Sequence, residues 1–279
     1  MASALSITVS GGIVLPGEAY LEHTPVLQTH AGTLPDLFLR WNRIPLPAPA
    51  IDIVVHLHGF SQEGSAMPLV EKVVRSGLDL SGRTRPTLGM LPRGNWLRHY
   101  YYDFPALLGG GIDRLIDYGL QQFAQAMVSP GAPNPFAMDR FILTAHSGGG
   151  MPAVDVIAGA RRSPDEFHVF DGLYGRDPAR GAPLRGLEVI DKWLGDRLRR
   201  EPEREGAFRV IYIEQQTGPF SRKAAELIAR QLASADPARA ASLSRRYRVE
   251  VSGVQHSQVA RYCQPRLLAA SDARFNWLE

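Results

Sequence analysis

From residue 51 onward, short apolar runs alternate with stretches whose apolar residues recur at helical spacing, and this alternation constrains the fold most. The runs are Ile51–Leu57, Thr87–Leu91, Phe141–Leu143, Phe167–Phe170, Phe208–Ile213 and Tyr247–Val251. They are near-continuous hydrophobic segments of strand length, as in strands buried on both faces. Between them lie helical stretches: Pro68–Leu80, the face Ile112, Leu115, Ile116, Phe123 and Met127, then Val154, Ile157 and Ala158, then Leu187, Ile190, Leu194 and Leu198, and finally Ser221–Leu232; Val259–Ala270 closes the chain. Strands separated by helices predict an α/β protein, with a mostly parallel sheet covered by helices on both faces. The first fifty residues read differently. Leu5–Val9 alternates with period two, Asp36–Trp41 is a second strand candidate, and Gly11, Gly12, Pro16 and Gly17 mark turns. They predict an antiparallel edge on the same sheet. Pro45 to Pro49 reads as a loop. No repeat or linker divides the 279 residues, so a single domain is expected.

Composition narrows the function classes. The formal charge is only +3, and the cluster Arg197, Arg199 and Arg200 is interrupted by Asp196, Glu201 and Glu203. That is a solvated helix end, so no nucleic-acid partner is expected. A lone Cys263 forms no intrachain disulfide. No apolar run approaches the ~20 residues of a membrane span. Met1–Leu5 lacks the basic start and apolar core of a signal peptide, and a cytoplasmic location is expected. Gly109-Gly110-Gly111 lacks the preceding strand and the Lys-Ser/Thr ending of a phosphate loop. His56 and His58 would share one face of a strand, but no spacing supplies further ligands, so no metal is expected.

The stretch most suggestive of chemistry is Asp139–Gly150. The apolar run Phe141–Leu143 leads into Ala145-His146-Ser147-Gly148-Gly149-Gly150. Small residues around one serine suit a sharp strand-to-helix turn that lifts the hydroxyl clear of the sheet. This is the G-x-S-x-G pattern of a nucleophile elbow, with Ala145 in place of the first glycine. Ile51–Leu57 runs into His58-Gly59-Phe60, where a backbone amide can point at a developing oxyanion; Phe60 and Gly148 are the expected oxyanion donors. Two later strands end in acids, Asp171 and Glu214, and the last exits toward His256. Asp171 is favoured as the acid, as a short carboxylate before Gly172, with Glu214 as the alternative. His256 is favoured as the base because it alone follows the last strand in a loop. His146 adjoins the serine, but the turn is expected to point neighbouring side chains apart; His56 lies within a strand, and His168 precedes a strand end. The chemistry needs each part: a serine hydroxyl is a poor nucleophile until a base takes its proton, and a buried carboxylate sets the imidazole tautomer.

On these residues (His58-Gly59, Ala145–Gly149, Asp171 or Glu214, and His256) the chain resembles the α/β-hydrolase family over roughly residues 35–270. The resemblance implies a Ser-acid-His triad of Ser147, Asp171 and His256, no cofactor, and cleavage of a small-molecule carboxylic ester through an acyl-enzyme. An amide or peptide substrate is the alternative, since both use the same triad. A non-catalytic binding protein on the same scaffold is the reading from another class. No long insertion interrupts the strand series, so little or no lid is expected. The aromatic run His99–Phe104 is placed either on a substrate pocket wall or against the scaffold.

Overall fold

The computed structural model describes residues 5–28, 34–47, 50–60, 67–97, 101–127, 136–175, 186–201 and 204–272. Its strands are β1 (Val9–Ser10), β2 (Ile13–Val14), β3 (Gly17–Leu21), β4 (Leu37–Trp41), β5 (Ile44–Pro45), β6 (Ala50–Leu57), β7 (Thr87–Pro92), β8 (Asn95–Leu97), β9 (Tyr101–Asp103), β10 (Ala137–His146), β11 (Glu166–Phe170), β12 (Ala207–Tyr212) and β13 (Tyr247–Val251). Its helices are α1 (Leu69–Ser76), α2 (Gly111–Gln125), α3 (Gly150–Gly159), α4 (Leu187–Arg200), α5 (Glu214–Leu232), α6 (Ala240–Arg246) and α7 (Val259–Asp272).

Eight strands form one sheet in the order β13-β12-β11-β10-β6-β7-β4-β3. The β3–β4 and β4–β7 pairs are antiparallel and the remaining pairs parallel. This is the mostly parallel, helix-covered sheet that the alternation predicts, in the α/β-hydrolase architecture that the resemblance implies, with the antiparallel edge supplied by the first fifty residues. The two faces of the sheet are visible in β6. Ile53, Val55 and Leu57 join the core under α2, α3, α4 and α5. Val54 faces the other way, with Leu69 and Val73 of α1 and Leu268 of α7. Both faces are dry, which is why the run reads as continuously apolar. Among the described residues, no helix is long and apolar enough to cross a membrane.

Several boundaries differ from the sequence reading. Of Leu5–Val9 only Val9 enters a strand, in a separate small sheet of β1, β2 and β5. Pro45 closes β5 rather than opening a loop, and residues 48–49 lie outside the described residues. The helix expected over Pro68–Leu80 stops at Ser76, because Gly77 takes a left-handed C-cap conformation at φ 67°. β10 is longer than Phe141–Leu143: its polar start is held by charge pairs, with Arg140 2.7 Å from Glu166 and Asp139 paired with Arg85. The helix expected from Ser221 begins at Glu214, and α6 and the β8–β9 hairpin have no counterpart in the sequence reading. His30, His99 and Tyr100 lie outside the described residues.

Candidate active site

Three sheet strands deliver their ends to one place. β10 runs through His146 into a 3-10 turn, Ser147–Gly149, that passes directly into α3. Ser147 sits at φ 50°, in the left-handed region that non-glycine residues avoid. Such a conformation persists only where the surroundings enforce it. Here they do. A Cβ on Gly149 would lie 2.4 Å from the Leu57 carbonyl oxygen at the end of β6, and one on Gly150 would lie 2.1 Å from the Gly172 carbonyl oxygen beyond β11. The turn is wedged between two neighbouring strand exits, at a spacing that only glycine permits. Ala145, fully buried, fills the position of the missing first glycine.

Asp171 follows β11 directly, also with positive φ (44°). Its N–H donates to the Ile211 carbonyl at 2.6 Å, which ties the turn to β12. The side chain is fully buried. Oδ1 accepts from the Ile213 N–H at 2.9 Å and from the Thr217 hydroxyl at 2.5 Å, while Oδ2 faces His256 Nδ1 at 2.6 Å. Burial pushes the Asp171 pKa up, but hydrogen bonds from His256, Thr217 and the Ile213 amide outweigh it and hold the carboxyl below its ordinary value. His256 begins the short turn before α7. Its Nε2 lies 2.8 Å from Ser147 Oγ. Ser147, His256 and Asp171 are therefore brought together in one hydrogen-bonded row. Glu214 is not part of it: it opens α5 at the surface and pairs with Arg222.

Phe60 is half-buried and helps to line a cavity of about 70 Å³ with His58, Gly59, His146, Ser147 and His256. Gly59 passes so close to Ser147 that a Cβ would stand 2.7 Å from the serine Cβ. Gly148 lies in the first turn after β10, where amide groups have no acceptor behind them in the helix. The neighbouring histidines have structural partners. His58 Nε2 accepts the Gly94 N–H at 3.0 Å, so its proton is on Nδ1, which donates to the Gly59 carbonyl at 3.0 Å. His56 Nδ1 is 2.9 Å from Thr144 Oγ1. His146, the residue before the serine, donates from Nε2 to the backbone carbonyl of His256 at 2.9 Å. The turn does not carry His146 away from the site: its ring lies 5.2 Å from that of His256. Tyr174 also approaches, its hydroxyl 3.4 Å from His256 Nε2. Of the aromatic run, Phe104 packs edge-on against His58. Thr217 and Tyr174 carry no sequence signal of a part in the site, because each reaches it through a contact between residues far apart in the chain.

Fold and site together define a chain of the α/β-hydrolase architecture with a serine, a histidine and a carboxylate in contact at the strand ends. No protein-family model and no curated protein matches the chain. Among solved structures it is similar to an α/β serine hydrolase without lid from Xanthomonas campestris (13% identity, 93% of this chain and 94% of that one, TM-score 0.40). It is also similar to an S-formylglutathione hydrolase from Agrobacterium tumefaciens (14%, 97% and 97%, TM-score 0.45) and to a ferulic acid esterase (9%, 86% and 93%, TM-score 0.46).

The buried histidines make the fold sensitive to acid. Burial lowers His56 from 6.5 to about 3. Burial, then the neighbouring His256, lowers His146 to about 4. Both groups are neutral in the folded protein but take up protons in the unfolded chain below pH 6.5. Stability is therefore undiminished above that pH and falls as pH drops toward 4. The slope is about 1.4 kcal/mol per pH unit for each histidine once the unfolded residue is protonated. The urea midpoint is expected to be level between pH 8 and 7 and to fall steeply between 6 and 4.5. A level midpoint down to pH 4.5 would show that these histidines titrate normally.

Proposed function

We propose that this protein is a serine hydrolase that cleaves a small-molecule carboxylic ester through an acyl-enzyme. The observation that carries the reading is the placement of His256 between Ser147 Oγ (2.8 Å) and Asp171 Oδ2 (2.6 Å). In this reading Ser147 Oγ attacks the ester carbonyl and His256 Nε2 takes its proton. Asp171 keeps the Nδ1 proton in place and stabilises the imidazolium. The amides of Phe60 and Gly148 receive the negative oxygen of the tetrahedral intermediate. The C–O bond to the alcohol breaks and the departing oxygen takes the proton from His256. A water molecule, deprotonated by His256, then attacks the acyl-serine; that ester bond breaks, the acid leaves, and Ser147 regains its proton. Each step uses groups of this chain and water.

The test is a fluorophosphonate probe on the native protein, followed by a panel of p-nitrophenyl esters of varied acyl length beside aminoacyl and peptidyl amides. Labelling that vanishes in Ser147→Ala, with turnover of esters, is the expected result. Turnover of the amides alone moves the activity to amide cleavage with the same residues. Absence of labelling identifies a binding protein on this scaffold and ends the enzymatic reading.

A further inference from the structure

Lys72 is a buried charged side chain beside the site, lining the same cavity as Ser147 and His256. It lies on the inward face of α1, beside Leu69 and Val73, and is only 3% exposed. Lysine is rarely buried to this degree, because an ammonium group withdrawn from water costs stability unless it is hydrogen-bonded. Lys72 Nζ donates to the Gly59 carbonyl oxygen at 2.7 Å. That carbonyl belongs to the same peptide unit as the Phe60 N–H.

We propose that Lys72 is a positioning residue for the reaction: by holding the Gly59 carbonyl it aims and polarises the Phe60 amide that receives the oxyanion. The inference rests on the hydrolase reading above. A trans peptide is planar, with C=O and N–H pointing in opposite directions, so gripping the oxygen from behind fixes the N–H in front. The grip is needed because residue 59 must be glycine. A side chain there would strike Ser147, and glycine leaves the peptide free to rotate. Two donors converge on the oxygen, the Lys72 ammonium and the His58 Nδ1–H, and the second is set by the Gly94 amide on the far side of the ring. An ammonium at the oxygen draws electron density through the amide and strengthens its N–H as a donor. It also places positive potential behind the point where negative charge develops.

The experiment compares Lys72→Met and Lys72→Arg with the intact protein, using the best ester of the panel and a trifluoromethyl ketone that forms a hemiketal oxyanion on the serine. Lys72→Met is expected to lower kcat about 30- to 100-fold with KM changed less than about twofold. Inhibition by the ketone should weaken by the same factor as kcat/KM, and Lys72→Arg should recover part of the loss. A role confined to packing would not make ketone affinity follow the rate. Should the methionine variant fail to fold, Lys72→Gln is read in the same way. A raised KM at unchanged kcat would make Lys72 a substrate contact. A fall in kcat at unchanged ketone affinity would remove it from the oxyanion site. Either outcome overturns this inference alone, whereas equal turnover by wild type and Ser147→Ala overturns the hydrolase reading and this inference with it.

Discussion

Ser147→Ala is expected to lower kcat by about 10⁵- to 10⁶-fold while leaving the fold intact, because residues that act as one unit lose nearly everything when the nucleophile goes. The substitution removes one oxygen whose hydrogen-bond partner is His256 Nε2. It leaves the turn as it is: alanine at φ 50° is as strained as serine, and the contacts of Gly149 and Gly150 that enforce the turn are untouched. Ser147→Gly separates the two consequences. It is equally inactive, but it relieves a left-handed strain of about 1–2 kcal/mol, partly offset by the extra freedom of glycine in the unfolded chain. Urea unfolding should therefore place Ser147→Gly above Ser147→Ala in stability by up to about 1 kcal/mol. Turnover in Ser147→Ala within about tenfold of wild type would remove Ser147 from the chemistry. Equal stability of the two variants would show that the turn stores no strain.

The fold was legible because a parallel sheet covered on both faces leaves a plain mark: apolar runs of strand length, each followed by helical periodicity. The site residues were legible for a related reason. Ser147, Asp171 and His256 each follow a sheet strand closely, and parallel strands bring their carboxyl ends to one edge. A residue just past such a strand is thereby assigned a place before any contact is known.

What escaped were residues whose role depends on a partner far along the chain. Lys72 reads as an ordinary helical lysine, and only the packing of α1 over the exit of β6 turns it inward to Gly59. Thr217 falls before the helix expected over Ser221–Leu232. Yet α5 begins at Glu214 and accommodates Pro219 inside the helix. Its first turn is held by tertiary contacts: the Ile213 amide and the Thr217 hydroxyl both donate to Asp171, and Phe220 is buried in the core. Local propensity argued for a later start, and these contacts overrode it. Glu214 is a candidate acid in the sequence because it directly follows the strand expected over Phe208–Ile213; the strand ends at Tyr212 and α5 starts at Glu214. With the helix beginning there, its side chain turns to the surface and to Arg222.

Asp171→Asn is expected to lower kcat by about 10³- to 10⁴-fold, as tautomer control is lost. The geometry determines which way the new amide must point. Oδ1 of residue 171 accepts the Ile213 backbone N–H, a donor that cannot reverse its role. The asparagine oxygen therefore stays on that side and its NH₂ group faces His256 Nδ1. Two donors cannot face each other at 2.6 Å, so the imidazole moves its proton to Nε2 and accepts from the amide. Nε2 then donates to Ser147 Oγ and has no lone pair with which to take the serine proton. KM should change little, because residue 171 is fully buried. Glu214→Gln serves as the comparison: its carboxylate is exposed and paired with Arg222, and the variant should keep kcat within about twofold of wild type. Steady-state kinetics on the preferred ester decides between them. A loss confined to Asp171→Asn makes Asp171 the acid of the row. A loss confined to Glu214→Gln moves that role to Glu214 and means that the 2.6 Å contact between Asp171 and His256 does not govern the imidazole.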